Sequence, residues 1–288
     1  MTVGEIIRQG FHYARTCRSL WIFGFFVGIA SGGSGGSGGA GNDGGVGGGT
    51  GTPGFPFALS IMDFPPVVFA LLGILVVIAV AAMLVHFISE GALIEGVVRA
   101  RQGGRMTIGE GIRAGWTHWG VLLRIALLYV AAVIGSLVLL VAPCVVAMRA
   151  FGPIGGIALA IPAVVIAVPW LITLHLVQAF AARIAVLENR RAFDAIHKAR
   201  LFLHGRIMHG LKLIVATFVG TLAIALVSIA VMAPIVLLLV ILVRVLQIVP
   251  AILLGCVVLL PVIYVLVAML GTFRSSIWTI GYVTEVEA

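Results

Sequence analysis

Two histidines and a glutamine are the side chains best placed for chemistry within the apolar part of this chain. His175 and Gln178 stand three residues apart, which sets them on one helical face about a turn from each other. His86 lies near the end of a different apolar run, at a similar depth if both runs end on the same side of a bilayer. Gathered together, the three would make a polar site opening toward one membrane face. The plainer and preferred reading is a set of interhelical hydrogen bonds near the interface, each worth about 1 kcal/mol. Nothing else assembles into a catalytic set. His197, His204 and His209, at spacings of seven and five, do not share a helical turn and make a poor zinc site. Cys17, Cys144 and Cys256 have no ligand spacing and read as small apolar fillers. None of the ten acidic residues falls at the middle of an apolar run, where ion-coupled transporters keep charge for function. No metal or other cofactor is implied.

These residues sit in a chain of 288 residues that is 61% hydrophobic and 10% charged, far from the roughly 25% charged of a soluble domain. Several apolar runs exceed the ~20 residues that cross a ~30 Å hydrocarbon core. The short alternating segments of a membrane barrel are absent. The class is all-α, a polytopic membrane protein. Six transmembrane helices are expected, over 20–30, 67–88, 121–148, 157–182, 213–243 and 250–273. The first has only 11 apolar residues, about 16 Å of helix, and crosses only with help from Tyr13 onward and from the first glycines. Its Gly24 and Gly28 form a G-x-x-x-G that permits close helix contact. Residues 31–54 are Gly/Ser-rich and hold no lysine or arginine. Lacking G-K-[ST] they are no phosphate-cradling loop, and their composition is that of a flexible connection.

A polar decapeptide beginning at Thr107 organises what lies between the spans. Thr107, Gly109, Glu110, Ile112, Arg113, Gly115 and Trp116 are matched in order by Thr2, Gly4, Glu5, Ile7, Arg8, Gly10 and Phe11. A fainter third copy begins at Asp194. A cleaved leader would have no reason to recur internally, so the first copy is read as part of the folded chain. Thr2 with Glu5, and Thr107 with Glu110, have capping-box spacing, in which each side chain satisfies the other's free backbone N–H. Apolar residues then share one face with arginine off it, the pattern of a helix lying in the headgroup plane. One membrane domain, 1–288, results, in three units over 1–89, 90–182 and 183–288. Each unit is a basic amphipathic interfacial helix followed by a transmembrane hairpin.

Segments 1–19, 90–119 and 183–212 hold three, four and seven Lys/Arg. The opposite connections hold only Arg149 and Arg244, and fourteen against two places both ends in the cytoplasm. Anionic lipid headgroups are the expected partners of that charge. The residues concerned are Arg8, Arg15 and Arg18, then Arg99, Arg101, Arg105 and Arg113, then Arg190, Arg191, Lys198, Arg200, Arg206 and Lys212. The net charge of +8 does not point to nucleic acid, because no soluble basic domain carries it.

Four segments carry a resemblance: Leu20-Trp21-Ile22-Phe23-Gly24 before the Gly-rich stretch, Glu90-Gly91-Ala92-Leu93-Ile94, Gly109-Glu110 to Trp116, and Ala185-Val186-Leu187-Glu188-Asn189 followed by Phe193-Asp194-Ala195-Ile196. They resemble a bacterial group of six-helix membrane proteins that includes the membrane domain fused to some glycerophosphodiester phosphodiesterases. The resemblance implies the bacterial inner membrane. It implies no catalysis in this chain, since the fused relatives' chemistry belongs to a separate soluble barrel whose metal-binding residues have no counterpart here. The expected function is non-enzymatic: a structural or accessory component working with other membrane protein subunits, or a lipid-interacting envelope protein. The alternative is a transporter or permease for a lipid-like or hydrophobic solute.

Overall fold

The computed structural model describes residues 3–16, 18–35, 66–104, 106–204, 207–246 and 248–287. Thr2, Cys17, Arg105, Arg206 and most of the Gly/Ser-rich connection lie outside them, and so does the cap expected at Thr2. Among the described residues all regular structure is helical. The order is α1 (Val3–Thr16), a 3₁₀ turn (Arg18–Leu20), α2 (Trp21–Gly35), α3 (Pro66–Arg101), α4 (Ile108–Leu187), α5 (Ala192–Leu203), α6 (Ile207–Leu246) and α7 (Ile248–Glu287). Five helical segments are long and apolar enough to cross a membrane: Leu71–Arg101, Ile108–Gly152, Ile154–Leu187, Gly210–Ile241 and Gly255–Val286. The described α2 has 15 residues, about 22 Å, and falls short of that length. It does run through 31–35, so the start of the expected connection is helix.

Helix α4 opens on the anticipated capping box. Thr107 Oγ1 accepts from the Glu110 N–H at 3.4 Å, and Glu110 Oε2 accepts from the Thr107 N–H at 2.9 Å. Beyond the box, the layout departs from the expected one. There is no separate in-plane helix over 107–119; α4 passes from the box into the apolar run without a break. The physical reason is that Gly120 alone interrupts it, and one glycine weakens a helix by about 1 kcal/mol without ending it. The chain turns only at Gly152, at φ 71° and ψ −171°, in the left-handed φ region that glycine enters without penalty. Trp170 Nε1 donates to Ser136 Oγ at 2.9 Å across 34 residues. The two residues are equidistant from 153, so the outgoing limb Ile108–Gly152 and the returning limb Ile154–Leu187 are antiparallel. Helix α3 likewise continues past Glu90 and Glu95 to Arg101. In the third unit α5 is separate, but its N-cap is Arg191 with no side-chain cap bond. Asp194 therefore has no box partner.

The buried residues form three clusters, all at the end where the basic segments lie. Ala14 of α1, Phe23 of α2, Leu93 of α3, Phe180 of α4, Leu213 of α6 and Phe273 of α7 are among them. Small residues let the backbones close there. A Cβ on Gly24 would stand 2.5 Å from the Ala268 carbonyl oxygen, and one on Gly271 would collide with the Gly24 carbonyl. Gly115 meets the Ile88 carbonyl in the same way. Close approach of this kind is what joins helices where burial drives nothing, as in lipid. Helix α1 does not simply lay its apolar face down: Gly10 and Ala14 pack on the core, Ile7 is half-buried against it, and Phe11 is exposed. Trp21 Nε1 donates to the Ala14 carbonyl at 2.7 Å and ties α2 to α1. Away from this end the helices are bare. Leu139 is 79% exposed and Ile154 82%, an apolar surface that water-soluble monomers do not present.

Candidate functional site

His86, His175 and Gln178 line one cavity of about 240 Å³ inside the packed end. Helical periodicity places them and their neighbours. On α3, His86 and Glu90 are one turn apart; on the returning limb of α4, His175, Gln178, Ala179, Ala182 and Arg183 fall on one face; on α7, Arg274, Ser275 and Trp278 do the same. Leu122 and Ile125 of the outgoing limb supply an apolar wall. Trp278 is held edge-on by Phe180, with ring centroids 5.8 Å apart. Against it stand the His175 ring at 6.1 Å and the Arg183 guanidinium carbon at 5.8 Å, the latter within cation–π range.

Arg183 is only 6% exposed. One of its terminal nitrogens donates to the Ala179 carbonyl at 2.6 Å, while its Nε finds no partner. His86 Nδ1 and Ser275 Oγ are also buried and unpartnered. The state of Ser275 contrasts with its neighbours on α7. Thr272, Ser276 and Thr279 each donate to the carbonyl one turn back, to Ala268, Thr272 and Ser275 respectively. No grouping of three or more His, Cys, Asp or Glu able to hold a metal occurs among the described residues.

No protein-family model matches this chain, and neither the curated proteins nor the solved structures yield a match. The site must therefore be read from its own residues. The structure brings the three polar residues named from sequence into one place and adds Glu90, Arg183, Arg274, Ser275 and Trp278. A signal for two of these was present: Arg183 closes one apolar run and Arg274 follows another, and charge at such places is costly unless used. In the sequence Arg183 is one of seven basic residues in 183–212, and that cluster masks its place at the end of an apolar run.

The basic residues expected at the lipid interface divide. Arg8, Arg15, Arg113, Arg191, Arg200 and Lys212 are exposed, and Arg101 is half-buried. Others meet protein acids: Arg99 lies 2.7 Å from Glu95 and 3.7 Å from Glu110, and Arg190 and Lys198 both reach Glu188. Exposed pairs of this kind contribute at most about 1 kcal/mol. Arg105 and Arg206 are outside the described residues, as is the Arg18 side chain.

Glu188 does more than pair. It accepts from Lys198 Nζ at 2.7 and 2.6 Å, from the Tyr282 hydroxyl at 2.8 Å and from Arg190 Nε at 3.1 Å. It thereby joins the end of α4 to α5 and to α7. Burial pushes its carboxyl up, but the hydrogen bonds from Lys198 and Tyr282, with the Lys198 charge and Arg190, outweigh that and hold it below the ordinary carboxylate range. A carboxyl depressed in the folded state contributes stability that is full above its unfolded value, about 4.3. That contribution is lost as pH falls through the folded value. Melting temperature in detergent is accordingly expected to drop between about pH 5 and pH 3, with a smaller drop in Glu188→Gln. Parallel curves for the two proteins would show that the Glu188 contacts add nothing on the acid side.

Proposed function

We propose that this chain is a non-enzymatic, six-span protein of the bacterial inner membrane, with both ends cytoplasmic, that engages anionic lipid at the cytoplasmic face. In this reading α2 is the sixth span. The three basic segments face the cytoplasm, and the chain is akin to the six-helix group that its sequence resembles. The observation that carries the lipid reading is a groove of about 380 Å³ between α1, α6 and α7. Arg8 stands at its rim, and every other lining residue, among them Ile7, Phe11, Ile224, Leu266 and Phe273, is apolar or glycine. A cation beside an apolar channel complements a phospholipid, with its phosphate at Arg8 and an acyl chain between the helices.

The expected result is a preference for phosphatidylglycerol over phosphatidylcholine when the purified protein is reconstituted in mixed nanodiscs and its retained lipid is counted by native mass spectrometry. Arg8→Ala should reduce that preference. Equal retention of the two lipids by the unaltered protein would end the reading.

A second reading, a permease for a lipid-like or hydrophobic solute, is favoured by the cavity that His175 and Gln178 share. Solute counterflow into proteoliposomes, lost in His175→Ala, would support it. Flux equal to that of empty vesicles for lipid-like solutes would remove it.

A further inference from the structure

Among the described residues, the buried side-chain nitrogen and oxygen atoms that lack a hydrogen-bond partner are Nδ1 of His86, Nε of Arg183 and Oγ of Ser275. They belong to α3, α4 and α7, yet all three residues line the same cavity. Buried polar atoms are paired in the great majority of cases, and a buried guanidinium bonded to a single backbone carbonyl is the most unfavourable to leave short of partners. Arg183 has no carboxylate within ion-pair distance among the described residues, and neither has Arg274.

The chemistry of the vacant partners is set by the donors. An arginine Nε only donates, a serine hydroxyl is free to donate, and a histidine Nδ1 donates in one tautomer. Their complement is a group that only accepts. Charge agrees: Arg183 and Arg274 bring two positive charges to the cavity and Glu90 one negative, leaving one positive charge when the histidines are neutral. Donors arriving from three helices suit a tetrahedral group with several acceptor oxygens better than a planar carboxylate. At about 240 Å³ the cavity is smaller than the roughly 300–1,000 Å³ of sites that enclose a drug-sized ligand, so it takes a headgroup and not a whole lipid.

We propose that this cavity is a binding site for a singly charged phosphate-class oxyanion, a phosphodiester in chemical terms. Arg183 is its central donor, His86 and Ser275 are flanking donors, and Arg274 is the second cation. This site is separate from the groove beside Arg8, and the inference does not rest on the lipid reading of that groove.

The test is isothermal titration calorimetry on the purified full chain in uncharged detergent. The titrants are dimethyl phosphate, dihexanoyl phosphatidylglycerol and acetate. Saturable binding of dimethyl phosphate supports the site with a free phosphodiester as source. Binding of the short-chain lipid alone supports it with a lipid headgroup as source. Arg183→Met is expected to weaken either by about tenfold or more, the loss of a charge-assisted hydrogen bond, and Ser275→Ala to weaken it by a smaller factor. Arg149→Met, exposed beside the Gly152 turn and lining neither the cavity nor the groove, is expected to leave it unchanged. Size-exclusion elution and helical circular dichroism establish that each variant is folded; should Arg183→Met not fold, Ser275→Ala and Arg274→Met decide. No binding of either phosphodiester overturns the proposal. So does acetate binding as tightly, or binding that persists unchanged in the cavity variants.

Discussion

Gly271→Leu is expected to abolish the monodisperse, folded protein in detergent, while Gly135→Leu leaves it intact. The reason lies in what surrounds each position. A Cβ at Gly271 collides with the Gly24 carbonyl oxygen, and its next neighbours are the Gly24 carbonyl carbon at 2.8 Å and the Gly28 nitrogen at 2.9 Å. All three are backbone atoms, so no side chain can swing aside. Gly24 and Gly28 return the contact, facing the carbonyls of Ala268 and Val267. Only a retreat of α2 from α7 would relieve the overlap. That retreat would uncover Phe23 and Val27, which pack with Leu93 and Ile280 in the core.

Overpacking a core side chain typically costs about 1–3 kcal/mol. Here backbone opposes backbone, so the loss is expected above about 3 kcal/mol, a large part of the ~5–15 kcal/mol that holds a domain together. Nothing lies within 4 Å of a Cβ at Gly135, and leucine there meets only the surrounding apolar medium. Fluorescence-detected size-exclusion chromatography with a heating series compares the two. Equal melting temperatures would mean that α2 and α7 do not touch through these glycines.

Arg183→Met is expected to raise the melting temperature of the ligand-free protein, equivalent to about 1–3 kcal/mol. Removing this cation relieves the desolvation of a buried charge that has no carboxylate within ion-pair distance among the described residues, a penalty of several kcal/mol. Against that stand the lost bond to the Ala179 carbonyl and the lost contact with the Trp278 ring, together worth about 1–2 kcal/mol. Methionine keeps most of the length and flexes into the remaining space. The gain should vanish when both proteins are compared at saturating phosphodiester, because ligand then stabilises only the form that binds it. A melting temperature lowered by Arg183→Met would identify the guanidinium as a structural tie and count against a site kept at the expense of stability. Thermal denaturation followed by intrinsic tryptophan fluorescence, with and without dimethyl phosphate, gives both readings.

How much of the fold and the site was legible from residues alone depends on the range over which each feature is set. Thr107 and Glu110 announced their box because its two bonds close within four residues. The turn between the apolar runs 121–148 and 157–182 falls at Gly152, whose positive φ is likewise a local demand. The Gly24-x-x-x-Gly28 pair was visible as a contact surface, but its partner on α7 was not, since Ala268, Gly271 and Thr272 lie more than two hundred residues on. The repeated decapeptide misled in one respect. Its charge and apolar stripe suggested a helix lying flat, whereas its second copy is the first turns of a long helix. The small residues that look incidental in it, Gly10 and Gly115, are the ones that touch neighbouring helices.

The sequence by itself determined an all-helical chain with long apolar helices, the capping box that opens α4, and which connecting segments are basic. These follow from hydropathy, capping and charge, all read within a few residues along the chain. Only the tertiary structure decided that His86, His175 and Gln178 share a cavity with two arginines, and that α1 packs on α7 as well as meeting its surroundings. Which faces meet is set by where backbones can approach, and that depends on pairs of small residues far apart in sequence. A polar residue on a helix has a face but no partner until that approach is known.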